Sequence, residues 1–164
     1  MPCKHRRPFT HRGLGRLTAL IVVCGAVGGG ALATCQEKPY PIFTAEQFVS
    51  AMKTVGQAFT AVNASLGRNE FEDSKAYLAI SRDRLATTIT FWRDRKKDDA
   101  IKMLRDAVAK LDDLDAALSL DKVDPAAVAA CVKQVGAACE ACHAIYREQD
   151  PVTKAYKMKT GTAE

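Results

Sequence analysis

The densest chemistry in the chain lies in five residues, Cys139-Glu140-Ala141-Cys142-His143. Two thiols three positions apart, with an imidazole directly after the second, form C-x-x-C-H, the spacing of a c-type haem attachment site. On a helix, positions i, i+3 and i+4 share one face. Both sulfurs can then add to the two vinyl groups of a haem while His143 meets the iron from the same side. Two other chemistries use part of the pattern. A thioredoxin-like C-x-x-C needs a βαβ setting, and nothing here alternates with period two for long enough to argue a strand. Half a zinc site needs two more ligands, yet outside residues 1–35 the chain adds only Cys131 and no second histidine. One covalent haem c is the expected cofactor.

The elements that must hold this motif read as helices. Phe48, Met52, Val55, Phe59, Val62 and Leu66 recur at steps of three and four, one continuous face over residues 44–66. Thr44 with Gln47 forms a capping box at its start, and Phe43 with Phe48 is placed as a hydrophobic staple. Gly67 ends it. A second helix near 73–92 has a weaker pattern, with Tyr77, Leu85, Thr88 and Trp92 on one side. A third near 97–119 aligns Ile101, Leu104, Val108, Leu111 and Leu118. A fourth opens at Asp124-Pro125, an N-cap followed by proline at the first helical position, and stops at Asp150-Pro151. Its face carries Val128, Cys131, Val135, Cys139, Cys142 and Tyr146. The expected fold is all-α, an antiparallel up-and-down four-helix bundle enclosing the haem. Residues 36–43 read as a linker, 44–150 as the helical domain, and 151–164 as a loose tail.

Charge distribution excludes one class of function. The chain has 164 residues with 24 Lys+Arg against 19 Asp+Glu, but five of those cations and no acid fall in residues 1–35. The remainder holds 19 of each sign, so no basic surface for nucleic acid is implied. Residues 1–35 have the parts of an export signal: a basic stretch to Arg16, an uncharged run 17–33, and a small-residue end. Ala31-Leu32-Ala33 suits cleavage after Ala33. Leu32-Ala33-Thr34-Cys35 resembles a bacterial lipoprotein box, which would place a lipid on Cys35. Arg6-Arg7 resembles a twin-arginine signal, and an uncleaved anchor is the third option, weakened by Gly25, Gly28, Gly29 and Gly30. All versions place the body outside the cytoplasm, in the periplasm, either unattached or tethered to the membrane. Three cysteines then remain in the body, an odd number that argues against a disulfide framework.

Helix-borne Cys139-x-x-Cys142-His143-x-x-Tyr146-Arg147, preceded by Val135-Gly136, resembles the cytochrome c prime family over roughly residues 44–148. The resemblance implies a distal haem face covered by the first helix. His5 and His11 lie in the leader, so a second axial histidine is ruled out within the body. Aligning Met52-Lys53-Thr54-Val55-Gly56 places Met52 at the distal position, similar to the Met-ligated, low-spin branch, with Gly56 one turn on, where a missing side chain would admit the haem plane. A methionine on an apolar helix face is otherwise core filler, the reading given to Met103; Met158 falls in the tail. The resemblance also puts Arg147 near a propionate or the iron, against a plain helix-end arginine favoured by the dipole. Tyr146 would pack on the porphyrin or the core. Cys131 reads as a small buried hydrophobe and Trp92 as a core residue.

The expected function is electron transfer between redox partner proteins, without catalysis: no nucleophile–base constellation is present, and His/Met ligation suits a carrier. The alternative is a five-coordinate cytochrome c prime binding NO or CO, with Met52 merely packed. A third reading, without haem, is an exported helical interaction module. Homodimers through the first two helices are what the family resemblance implies.

Overall fold

The computed structural model describes residues 41–162. The leader, Cys35 with its lipid box, and most of the linker therefore lie outside the described residues. Helix makes up 73% of the described residues, and the two strands among them have three residues each, an all-α architecture. Among the described residues no helix is long and apolar enough to cross a membrane.

α1 spans Ala45–Gly67. Its capping box forms as the sequence implies: Gln47 N donates to Thr44 Oγ1 at 3.2 Å, and Thr44 N donates to Gln47 Oε1 at 3.2 Å. The chain leaves α1 through Asn69 at φ 60°, in the left-handed region that asparagine tolerates. α2 spans Phe71–Thr87, and its buried residues are Ser74, Leu78, Ser81 and Leu85. Tyr77, expected on that face, is 40% exposed. Half of the buried face is serine, which explains the faint apolar period. These small side chains satisfy themselves on backbone: Ser74 Oγ donates to Glu70 O at 2.9 Å, and Ser81 Oγ to Val55 O across to α1 at 3.4 Å.

The expected second helix does not run unbroken to Trp92. It turns at Thr88, and a separate short helix, α3, spans Ile89–Asp94. The cause is local: Thr87, Thr88, Ile89 and Thr90 are consecutive β-branched residues, stiff at χ1 and poor in helix interiors. Thr87 and Thr88 donate their hydroxyls to the carbonyls of Arg84 and Leu85, each at 2.7 Å. Such bonds compete with the helix ladder.

α4 spans Asp98–Leu118 and buries Ala100, Leu104, Ala107, Leu111, Leu114 and Leu118. α5 spans Pro125–Tyr146, with Asp124 accepting from Ala126 N at 2.9 Å and proline in the first turn. α1 packs on α2, α4 on α5, and α2 on α4 joins the two pairs. An exposed Arg82–Asp112 ion pair also links α2 to α4. Exposed pairs contribute roughly 0–1 kcal/mol, so the joint is made by packing.

Both ends of the domain depart from expectation. Ile42, assigned to the linker, is fully buried, whereas the expected staple residue Phe43 is 48% exposed. Ile42 N donates to Thr90 Oγ1 at 3.0 Å while the Thr90 hydroxyl donates to Ile42 O at 2.9 Å. A single side chain on α3 thus fixes both backbone groups of Ile42. At the other end α5 stops at Tyr146, four residues before Asp150, and the tail is not loose. β1 (Arg147–Gln149) pairs antiparallel with β2 (Tyr156–Met158), aligning Arg147 with Met158. Asp150 organises the turn by accepting from Val152 N at 2.9 Å and Thr153 N at 2.8 Å, an Asx turn. Backbone pairing carries this hairpin, and it leaves no hydrophobic alternation to read.

Candidate functional site

The functional candidates converge on one cavity of about 640 Å³. Its wall takes Phe48, Met52, Val55, Gly56 and Phe59 from α1, Trp92 from α3, Met103 and Leu104 from α4, and Cys139, Cys142, His143 and Tyr146 from α5. Natural interiors hold few voids larger than a water molecule. This one is roughly four times the ~150 Å³ of an engineered cavity that binds benzene, and it lies within the ~300–1,000 Å³ range of small-molecule and cofactor sites.

α5 presents the motif. With Val128, Cys131 and Val135 buried on the same helix, the next turns of that face bring Cys139, Cys142 and His143 to the cavity, all half-buried. Cys131 is 1% exposed in the core, two turns before Cys139. Burial pushes the Cys139 thiol up and carries the Cys142 thiol to about 11, with the charges of Cys139 and Asp99 adding to the second. Both are therefore protonated at neutral pH. A dithiol oxidoreductase works through a thiolate of lowered pKa, so the environment opposes that alternative. His143 is held below its usual value first by burial and then by the charge of Arg147. Its imidazole is neutral at pH 7, the form that coordinates a metal.

Met52 faces the same cavity from α1. So do Met103 on α4 and Met158 on β2, which makes every described methionine a wall residue. Gly56, one turn beyond Met52, also lines the cavity, and a Cβ added there would meet nothing within 4 Å. The missing side chain widens the cavity beside Met52.

Tyr146 is 7% exposed. Its ring lies 4.6 Å from that of Trp92, which in turn meets Phe91 and Phe48 at 5.0 Å. Of these aromatics Phe48, Trp92 and Tyr146 line the cavity. The Tyr146 hydroxyl donates to Asp99 Oδ2 at 2.6 Å, tying the end of α5 to the start of α4. That bond lowers the Asp99 pKa, and the tyrosine's own is raised by burial and by the carboxylate. Tyr146→Phe should cost about 0.5–1.5 kcal/mol at neutral pH, toward the low end because Asp99 is exposed. A carboxylate with a depressed folded-state pKa contributes stability that is lost as pH falls through that pKa. The stability gap between wild type and Tyr146→Phe should therefore close as the pH drops below 3.8, the ordinary aspartate value. Urea unfolding across that pH range checks it; a gap that persisted in acid would assign the loss to packing.

Arg147 also lines the cavity, but its guanidinium lies 4.1 Å over the Tyr156 ring. Instead of being a bare helix-end arginine it is part of the hairpin. The sequence reading missed Ala155, Tyr156, Lys157 and Met158, which all line the cavity. Asp150-Pro151, which reads as a helix stop, is also the available sign that the chain turns back here.

The residues fit a haem by three features of this structure: two thiols and an imidazole on one wall, a thioether on another helix, and a cofactor-sized apolar space between. Among the described residues no group of three His, Cys, Asp or Glu side chains could hold a bare metal ion. No protein-family model, curated protein or solved structure matches the chain.

Proposed function

We propose that this protein is an exported mono-haem c-type cytochrome that carries electrons, with His143 and Met52 as axial ligands and Cys139 and Cys142 as thioether anchors. The observation that carries the reading is a cavity of about 640 Å³ with all four of these side chains on its wall. In this reading the helices form an antiparallel up-and-down four-helix bundle, as in the cytochrome c prime family that the α5 motif resembles. A bound haem would supply one iron cycling between ferric and ferrous states.

The chain's own residues account for the rest. His143 offers a neutral nitrogen, and Met52 a soft sulfur that prefers the ferrous state. The apolar wall excludes water, which leaves a carrier that exchanges electrons with redox partner proteins and performs no catalysis. The export signal would deliver the chain to the periplasm, with or without a lipid on Cys35.

One absorption spectrum of the purified oxidised protein tests the reading. A low-spin spectrum with the weak far-red band of a sulfur–iron(III) bond is expected. A high-spin spectrum would move the protein to the gas-binding alternative, in which Met52 only packs and NO or CO reaches the iron. A pyridine haemochrome assay without covalent haem would leave an exported helical interaction module.

A further inference from the structure

We propose that the C-terminal hairpin is a wall of the cofactor site and raises the reduction potential of the haem held there. The proposal rests on the haem reading above. It concerns residues beyond Asp150, which the attachment motif does not reach.

A two-stranded hairpin is marginal by itself in water, so this one needs fastening, and it has it. Lys159 N donates to Tyr146 O at 2.9 Å, Asp150 N to Ala155 O at 2.9 Å, and Gln149 Nε2 to Lys154 O at 2.9 Å. The Arg147 guanidinium covers the Tyr156 ring, and Lys157 meets Glu148 across the strands at 3.3 Å. β2 packs against α1, the helix that carries Met52. Met158 is half-buried against the core. The hairpin thus covers cavity wall that would otherwise open to water.

Charge strengthens the effect. Outside the leader the chain holds equal numbers of acids and bases, yet the cavity wall contains Lys53, Arg147 and Lys157 and no carboxylate. Two of those three cations belong to the hairpin, although Glu148 offsets part of the Lys157 charge, and Asp99 and Glu140 act on the α5 side of the cavity from just outside its wall. A ferric haem carries one more positive charge than a ferrous one. Excluding water penalises the more charged form, and nearby cations repel it. Both contributions favour the electron-loaded state. Burial and local charge are recognised controls on haem potential.

The test compares haem-loaded full-length protein with a chain ending at Asp150, and with Tyr156→Ala, Met158→Ser and Met158→Leu, titrated with redox mediators. Loss of the hairpin should leave covalent haem and the low-spin spectrum in place. The ferrous-to-ferric ratio at a fixed electrode potential should fall about tenfold, a 59 mV shift for one electron. Amide exchange should quicken in α1 beside Met52. Met158→Ser and Tyr156→Ala should shift the potential the same way, and Met158→Leu should not, because leucine restores the apolar wall. An unchanged potential in the truncated or point variants, with haem intact, overturns this inference and leaves the electron-carrier reading standing. A Met158→Leu protein whose spectrum changes makes Met158 an iron ligand and overturns the wall. Absence of covalent haem from the wild type defeats both. Should the truncated chain fail to fold, the three point variants decide.

Discussion

Replacing both Cys139 and Cys142 with alanine is expected to leave a chain without covalent haem. Each thioether needs its own sulfur, and among the described residues the other cysteine, Cys131, is buried in the core away from the cavity wall. The loss should extend beyond the cofactor. Cavity cost measured in other proteins runs near 24 cal/mol per Å³, so holding 640 Å³ empty and rigid would cost about 15 kcal/mol. That is comparable to the whole stability of a domain. The figure is an upper bound, because the walls collapse and water enters. The double variant should therefore accumulate poorly and lose fixed packing around Trp92 and Tyr146, while the α1–α2 pair, joined through Ser81 and Leu78, keeps its helicity. Pyridine haemochrome assay and near-UV circular dichroism check the two halves. Wild-type covalent haem in the double variant would refute the attachment site outright.

Met52→Ala should retain haem and open the iron. Removing the sulfur takes away a ligand that prefers iron(II), so the reduction potential should fall. It also enlarges a cavity that Gly56 already leaves open on that side. The ferric protein should turn high-spin, and the ferrous protein should bind CO. Met52→Leu, which keeps the volume, should give the same spectrum and so separates ligation from packing. Low-spin spectra in both variants would transfer the ligand role to Met103 or Met158, which share the wall.

Much of this was legible in sequence, for physical reasons that also mark where it stopped. α1 announced itself because apolar residues at three- and four-residue steps bury one face, and Thr44 with Gln47 can close only one kind of helix start. α5 was legible at its beginning through Asp124-Pro125 and at its chemistry through Cys139, Cys142 and His143. The face of α2 was misread because close packing against α1 selects Ser74 and Ser81, which hydropathy counts as surface. The break at Thr88 was written in four β-branched residues, but the breadth of the helical pattern hid it. Ile42 could not be assigned to the core by periodicity, since a single buried residue before a helix has no period. The hairpin is the largest omission: three-residue strands are too short to alternate, and their register is set by Asp150 and backbone pairing. Its site residues were missed for that reason, Met158 being placed in the tail.

The two hydrogen bonds between Ile42 and Thr90 set a length scale for anything attached upstream. If Cys35 carries a lipid, the Ile42 backbone held by Thr90 is seven residues later. At full extension those seven residues span about 25 Å. The folded domain would then be confined to a thin layer beside the bilayer, unable to diffuse away. Its collisions would be those of a two-dimensional search, favouring partners embedded in or resting on the same membrane.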